Sequence, residues 1–182
     1  MKYNHYPLPP EYLDIVDKGN CFNLVIVGKD PFPSSPTGIP FCKESWKEQL
    51  KDNNSGLHVL KSIGIDTLNA KDNYPKPSNL FHELADQGIV FLNCSYHYLG
   101  TSGLPKKDHI YVDQALSVNE PIIRKAASVL LCGEAKVLEE KIKGVTNFYK
   151  VVHPDIQNRT LKKEDWHKWW ADSVIKQRFN LP

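Results

Sequence analysis

The segment from Leu24 to Phe41 constrains the fold of this chain more than any other. It begins with residues 24–27, a continuous apolar run rich in β-branched residues, which is typical of a buried strand in a parallel sheet. Gly28 ends the run, and Asp30 follows in a turn that several prolines stiffen. Because open α/β sheets bind ligands just outside the carboxyl ends of their strands, we expect a rigid ligand-binding loop at this position.

The same loop carries two aromatic residues, Phe32 and Phe41, in addition to the carboxylate of Asp30. A single carboxylate held close to two aromatic rings is the arrangement expected of a preorganised site for a flat, mostly apolar ligand. The sequence therefore predicts that this loop contributes both a charged group and stacking surfaces to one pocket.

The composition sets the outer limits of the prediction. A chain of 182 residues with 41% hydrophobic residues predicts one globular domain, spanning residues 1–182. The net charge of +2 is too small to establish a nucleic-acid partner, although it leaves room for a local basic face. The first residues contain prolines and acids instead of an apolar block, and no apolar run approaches membrane-spanning length. We therefore expect no signal peptide and no membrane partner.

The four cysteines are spaced without any CxxC pair and without clustering near histidines, so the sequence predicts no metal site. Free thiols are typical of a reducing compartment. We therefore expect a cytoplasmic protein of bacterial or phage-like type, with a nuclear location left open. The cysteines are Cys21, Cys42, Cys94 and Cys132.

Strand-like and helix-like segments alternate along the chain, which predicts a three-layer α/β/α fold around a central four-stranded parallel sheet. The predicted strands are residues 24–27, 89–92, 127–132 and 148–152. The predicted helices are residues 80–87, 110–126 with a kink or break near Pro121, and 161–179. Residues 47–74 are interpreted as a loop around a short helix, and Ser78 is the predicted N-cap of the helix that follows.

Each predicted strand is followed by glycine or by a polar residue. Asp30 follows the first strand, Asn93 the second and His153 the fourth, while Gly133 and Glu134 follow the third. An amide both donates and accepts, so Asn93 can recognise a complementary amide edge. His153 can donate to a developing anion or move a proton, and Asp30 can stabilise a cation or orient a water. This combination predicts an active site at one edge of the sheet.

The segment around Asp30 resembles the water-activating motif of the uracil-DNA glycosylase superfamily. Residues 28–33 read Gly-Lys-Asp-Pro-Phe-Pro, which is similar to Gly-Gln-Asp-Pro-Tyr-His in the uracil-excising branch. Pro77-Ser78 resembles the proline-serine loop with which that family holds a DNA phosphate. The strand that ends at Asn93 resembles the family's uracil-reading strand.

Two further segments extend the resemblance. Residues 130–133, Leu-Leu-Cys-Gly, resemble the strand before the family's Gly-Ser loop, and His153-Pro154 resembles its catalytic-histidine motif. The five motifs occur in the family's order and cover residues 24–159. The resemblance implies the family's α/β/α fold and its chemistry on DNA.

The resemblance implies a role for each residue of the predicted pocket. Asp30 would position the attacking water and stabilise the cationic sugar, and Phe41 would stack on the flipped base. Asn93 would hydrogen-bond the O4 and N3 edge of uracil and so reject cytosine. His153 would donate to O2 of the departing uracil anion as a neutral imidazole. Phe32 stands in place of a tyrosine whose ring blocks the thymine methyl group.

The DNA-contacting loops depart from the family pattern. Pro33 replaces a histidine, Glu134 stands where a serine usually meets phosphate, and Ile156 or Gln157 replaces an intercalating leucine. We therefore expect weak attraction to the DNA backbone and a preference for single-stranded substrate. The predicted DNA-binding residues are Pro77, Ser78, Gly133, Pro154, Ile156, Gln157 and Arg159, and Lys29 joins Phe32, Phe41 and Asn93 as a predicted base-binding residue.

The sequence thus predicts a monofunctional DNA glycosylase that hydrolyses the N-glycosidic bond of uracil in single- or double-stranded DNA. It is expected to act as a monomer, without a cofactor or a metal. Because no lysine nucleophile is recognised in a suitable place, the expected product is an abasic site in an uncut strand. Two alternatives stay open, namely a glycosylase for another modified pyrimidine and a protein that binds uracil or damaged DNA without turnover.

Overall fold

A sheet of parallel strands forms the centre of the protein. The computed structural model describes residues 4–32, 37–100 and 103–182. Within those ranges the strands are β1 (Leu24–Gly28), β2 (Ile89–Asn93), β3 (Val129–Cys132) and β4 (Phe148–Val151). They form one all-parallel sheet in the order β2-β1-β3-β4. With helices around this sheet, the predicted α/β fold class is confirmed.

The helices of the described chain are mostly short. They are α1 (Pro10–Lys18), α2 (Trp46–Gln49), α3 (Ser55–Ser62), α4 (Thr67–Asn73), α5 (Pro77–Asp86), α6 (His109–Arg124), α7 (Val137–Lys141), α8 (Ile156–Leu161), α9 (Lys163–Trp170) and α10 (Val174–Phe179). Two 3₁₀ turns, Lys106–Asp108 and Gly133–Lys136, precede α6 and α7. Helix α1 packs on α5, and α3 packs on α9 and α10. No helix in the described ranges is long and apolar enough to cross a bilayer.

The order of the strands determines where a ligand site can form. The chain places β2 on one side of β1 and β3 on the other, so the direction of winding reverses at β1. Ligands of such sheets bind at this reversal, outside the carboxyl ends of the strands. All residues of β1, β2 and β3 are buried, as their continuous apolar sequences predict, whereas β4 is an edge strand and is largely exposed.

Several helix predictions are wrong in detail. Helix α6 continues through Pro121 without a break, because the buried side chains of Asn119, Ile122 and Ile123 hold both of its parts against the core. The predicted helix over residues 161–179 is interrupted before α10, where Ser173 adopts a left-handed backbone conformation. Residues 47–74 form three helices instead of a loop with one. Lys76 and not Ser78 is the N-cap of α5, because the helix already begins at Pro77.

Candidate active site

Asp30 lies at the centre of the carboxyl edge of the sheet, two residues after β1 ends. The backbone N–H of Leu99 donates to its Oδ2 at 2.7 Å, and the ammonium of Lys29 lies 3.8 Å from the same oxygen. Burial raises the pKa of Asp30, although the Leu99 hydrogen bond, Lys29 and His153 all act to lower it. The carboxylate is therefore held by one oxygen in a site that is poorly solvated.

Asn93 ends β2 beside Gly28, its register partner in β1. Its carbonyl accepts from Nδ2 of Asn119 at 2.8 Å, which fixes the backbone, and the residue is only 2% exposed. Its side-chain amide makes no hydrogen bond to any residue that the structure describes, although it lines the pocket. A buried amide normally has partners. Asn93 therefore presents an unused donor and acceptor to a ligand.

Gly28 allows Asn93 and Phe41 to approach each other across the end of β1. A Cβ atom at this position would lie 2.8 Å from Oδ1 of Asn93 and 3.2 Å from Cζ of Phe41. The first contact is closer than real Cβ atoms come and the second is tight, so a residue larger than glycine would push the amide out of place and crowd the ring. The glycine that ends the first predicted strand is thus a requirement of the pocket.

Phe41 is held in a strained backbone conformation. Its φ of +63° lies in the left-handed region, which a bulky residue rarely adopts. The ring is nearly buried, with its centroid 6.5 Å from that of Phe91 in an edge-on arrangement and 6.3 Å from that of His153. Strain of this kind persists only where surrounding contacts enforce it, and it is common at ligand sites.

Gln49 provides those surrounding contacts, and sequence reasoning missed it. Its fully buried side chain donates from Nε2 to the carbonyl of Phe41 at 3.2 Å and accepts from the backbone N–H of Lys43 at 2.8 Å. Its own carbonyl accepts from the side chain of Asn54 at 2.8 Å. A Cβ at Gly56 would overlap the Phe41 carbonyl oxygen, so α3 also lies close against the loop. No local sequence pattern identifies Gln49, because its partners depend on the fold of the loop.

His153 enters the site from the end of β4 and is oriented by Asp155. Its Nδ1 lies 3.1 Å from Oδ2 of Asp155. Burial acts to raise the pKa of Asp155, but hydrogen bonds from His153 and Asn158 outweigh it, so the pKa lies below its usual value. A carboxylate only accepts, so Nδ1 carries the proton of this hydrogen bond. Nε2 is then a donor only when the ring is an imidazolium, which differs from the neutral donor implied by the family resemblance.

Asp155 is a second residue that sequence reasoning missed, and it does carry a sequence signal. Its Oδ1 accepts from the backbone N–H of Asn158 at 2.7 Å, which makes it the N-cap of α8. An aspartate directly before a helical segment is a recognised helix start. The cap fixes the carboxylate, and the carboxylate in turn orients the ring of His153.

These side chains surround one pocket of about 450 Å³ of empty space. Asp30 and His153 lie at its mouth, since they also line the wider groove described below, whereas Asn93 and Phe41 line only this pocket. Few polar groups among apolar walls suit a small flat ligand. Within the described ranges, no group of three or more His, Cys, Asp or Glu residues is placed to hold a metal ion.

Phe32 and Lys29, the two other predicted base-binding residues, also line this pocket. The ammonium of Lys43 lies 3.3 Å from the centroid of the Phe32 ring, in a cation–π contact that fixes one face of the ring. Burial lowers the pKa of Lys43. Pro33, the next residue of the predicted motif, lies outside the described residues.

A wider groove of about 1830 Å³ continues from the pocket along the carboxyl edge of the sheet. Asp30, Phe32 and His153 belong to both cavities. Three of the predicted DNA-binding residues, Gly133, Ile156 and Gln157, line this groove. Its charged residues are Lys29, Asp30, Glu134, Lys136, Lys150, Asp155 and Lys162.

The other predicted DNA-binding residues lie elsewhere. Of the residues described, Pro77, Ser78, Pro154 and Arg159 line neither the pocket nor the groove. Pro77 and Ser78 form the first turn of α5. Nη1 of Arg159 donates to both carboxylate oxygens of Asp52, at 2.9 and 3.1 Å, so this nitrogen is already engaged. Their contact with DNA stays a prediction.

Comparison with solved structures shows which fold this is. The chain is similar to the crystal structure of wild-type UNG from Nitratifractor salsuginis, with a TM-score of 0.51 and 14% sequence identity over 94% of this chain and 78% of that one. A point mutant of the same UNG gives a TM-score of 0.54 and 15% identity, over 95% of this chain and 80% of that one. No protein-family model and no curated protein matches the chain. The chain thus has the fold of these UNG structures.

Proposed function

We propose that this protein is a DNA glycosylase that removes uracil from DNA. The observation that carries the proposal is the unused amide of Asn93, which lines a narrow pocket whose mouth is flanked by Asp30 and His153. The UNG structures with which the chain shares its fold are uracil-DNA glycosylases, which supports a glycosylase. The choice of uracil rests on the pocket itself, where one amide has to recognise the edge of the base.

The target atom of a base cannot be reached inside a duplex, so the base has to be extruded from the DNA before it binds. In the pocket, the base stacks against Phe41. The amide of Asn93 donates to O4 and accepts from N3–H, whereas cytosine presents the opposite pattern at those two atoms. This complementarity discriminates uracil from cytosine, because the wrong base leaves buried polar groups unpaired.

Bond cleavage separates charge between the sugar and the base, and the mouth of the pocket carries one group suited to each. The carboxylate of Asp30 lies at the mouth, where it stabilises the cationic sugar and orients the attacking water. The imidazolium of His153 donates from Nε2 to the uracil anion, while Asp155 holds Nδ1. Hydrolysis then leaves free uracil and an abasic site.

The groove provides a path for the DNA strand on either side of the extruded base. Lys162 attracts phosphates, whereas Glu134 repels them. Lys150 is paired with Glu139 at 2.9 Å and Lys136 lies 3.9 Å from Glu134, so both contribute less. Ile156 is 39% exposed. Its single side chain can insert between base pairs less deeply than an extended loop would. We infer that single-stranded DNA is the better substrate, since no base pair has to be broken.

An excision assay tests the proposed function. Oligonucleotides that carry uracil, cytosine, thymine or a 5-substituted uracil are incubated with the protein, and the released base is identified by mass spectrometry. Release of uracil supports the proposal. Release of only another pyrimidine favours the alternative substrate, and tight binding without release of any base contradicts the assignment as an enzyme.

The strand preference has its own test. Initial rates are compared on matched single- and double-stranded uracil substrates across a salt series, for the wild type, Glu134→Ser and Ile156→Leu. We expect faster excision from single strands, tighter binding after Glu134→Ser, and a gain specific to duplex after Ile156→Leu. Equal rates on both substrates, unchanged by either substitution, would show that other residues hold the DNA.

A further inference from the structure

Lys29 is a nucleophilic group that takes no part in making or breaking a bond in glycosidic cleavage as proposed above. Its ammonium donates to the carbonyl of Gly100 at 2.6 Å and lies 3.8 Å from Oδ2 of Asp30. The side chain is 13% exposed and lines both the pocket and the groove. The amine is therefore fixed at the mouth of the pocket, beside the carboxylate.

This position is unfavourable for a group that only assists departure of the base. A cation next to Asp30 offsets part of the negative charge that stabilises the sugar cation. With a neutral residue at position 29, the full negative charge of Asp30 would act on the sugar cation. A lysine amine beside a carboxylate is, in contrast, the pair of groups needed to react with a sugar aldehyde, because the amine attacks the carbonyl and the carboxylate accepts a proton.

We propose that Lys29 gives this protein a second activity, in which its Nζ forms a Schiff base with C1′ of the abasic sugar and promotes cleavage of the DNA strand. The proposal rests on the proposed function, since the abasic sugar is the product left beside Asp30. It replaces the expectation of an uncut product, which depended on the absence of a suitably placed lysine.

The reaction balances without an oxidant or a reductant. After the ammonium of Lys29 gives a proton to solvent, its amine attacks the ring-opened aldehyde at C1′, a C–N bond forms, and the carbonyl oxygen leaves as water. The carboxylate of Asp30 takes a proton from C2′, and the electron pair of that bond forms the C2′–C3′ double bond as the C3′–O bond breaks. The electrons of the C3′–O bond leave with the oxygen, which releases the 3′ fragment of the strand with its 5′-phosphate. Water hydrolyses the imine, which returns the amine and leaves an unsaturated aldehyde.

The test traps the imine on DNA that carries a preformed abasic site, so it requires no excision of uracil. Full-length protein is incubated with this DNA and sodium cyanoborohydride, which reduces the C=N bond to a stable amine. The covalent adduct is digested and its attachment point is read by mass spectrometry. We expect the adduct on Lys29 of the wild type, and Lys29→Arg, which keeps the charge, should reduce its yield at least about tenfold. Lys71→Arg, an exchange at an exposed lysine of α4, should leave the yield unchanged.

Absence of an adduct, attachment at another lysine or at the N-terminal amine, or full yield from Lys29→Arg would each overturn the inference. Mapping the wild-type adduct keeps the test decisive even when a Lys29 variant folds poorly. The uracil excision assay is run in parallel. Excision without an adduct at Lys29 overturns the second activity and leaves the proposed function intact. An adduct at Lys29 without excision overturns the proposed function and supports the reaction of Lys29 with an abasic sugar.

Discussion

The backbone N–H of Leu99 donates to Oδ2 of Asp30 at 2.7 Å, across a separation of 69 residues in the chain. The donor lies in the loop after β2, so the strand that carries Asn93 also fixes the carboxylate that follows β1. Oδ1 of Asp30 accepts no hydrogen bond from any described residue. One oxygen is therefore anchored, and the other is free to meet substrate or water.

Because burial raises the pKa of Asp30, its charge costs stability in the folded protein. A carboxyl group whose pKa is raised by folding makes its full contribution to stability below the pKa that it has in the unfolded chain. This contribution is lost as the pH rises through the pKa that the group has in the folded protein. Asp30→Asn should therefore stabilise the protein at pH 7 by on the order of 1 kcal/mol, or roughly 2–4 °C in Tm.

Thermal unfolding from pH 4 to pH 8 checks this expectation. The advantage of Asp30→Asn should shrink as the pH falls toward 4, because a growing fraction of the wild-type carboxyl is then protonated. Asp72→Asn, at an exposed position in α4, serves as the control and should show no such trend. An Asp30→Asn variant that is less stable at pH 7 would show that the Leu99 and Lys29 contacts outweigh burial.

Asn93→Asp should exchange the preferred base. A carboxyl group buried in this pocket favours its protonated form. It can then donate to N3 of cytosine and accept from its amino group, a pattern opposite to that of the amide. We expect uracil excision to fall roughly 100-fold and cytosine excision to become detectable.

Excision from uracil and cytosine oligonucleotides measures this exchange directly. Asn73→Asp, at an exposed position in α4, controls for the added charge. A folded Asn93→Asp variant that still prefers uracil would mean that another group reads the base.

Gln49→Glu should displace Phe41 without touching the substrate. It keeps the acceptor for the N–H of Lys43 but removes the donor to the Phe41 carbonyl and sets two oxygens against each other. Loss of a buried hydrogen bond costs about 1–3 kcal/mol of stability. Because a stacking ring that moves by about 1 Å can cost up to about a hundredfold, we expect kcat/KM to fall by roughly 10- to 100-fold.

Steady-state kinetics and thermal unfolding separate the two effects of Gln49→Glu. Gln177→Glu, which adds the same charge at an exposed position in α10, should change neither quantity. Unchanged kinetics in a destabilised Gln49→Glu variant would limit Gln49 to a structural role.

Asp155→Asn separates the orientation of His153 from capping of α8. Asparagine caps a helix as well as aspartate does, so the helix should persist. The variant loses the carboxylate that accepts from Nδ1 of His153 and holds its ring, and we expect turnover to fall roughly 10- to 100-fold.

Single-turnover rates and the binding affinity for the same strand check this prediction, because a misoriented His153 should slow the reaction and leave binding unchanged. Asp66→Asn, an exchange at the N-cap of α4, is the matched control. A rate equal to that of the wild type would exclude the contact between Asp155 and His153 from catalysis.

The parts of the fold predicted well from sequence were those with a strong local signal. Strands β1, β2 and β3 are continuous apolar runs, and nothing but a buried sheet suits them. Two of the three helices in residues 47–74 are not predicted, because a helix of a few residues is marginal by itself and depends on tertiary contacts. The bond from the indole of Trp46 to the carbonyl of Tyr74, at 2.7 Å, is one such contact.

The residues of the candidate site likewise divide into those with a local sequence signal and those placed by distant parts of the chain. Asp30, Asn93 and His153 follow strands, so the direction of the sheet predicts that they meet. The left-handed conformation of Phe41 and the role of Gln49 depend on the path of the loop, which no spacing of residues specifies. The carbonyl that positions Lys29 belongs to Gly100 and is likewise contributed from a distant part of the chain.

The most direct test of the central claim is the single-turnover rate of uracil release from a single-stranded oligonucleotide, measured with the binding affinity for the same strand. The wild type should release uracil, and Asp30→Asn and His153→Leu should each do so roughly 100-fold more slowly while binding the strand about as tightly. Wild-type rates in either variant, or binding without release by the wild type, would contradict the account.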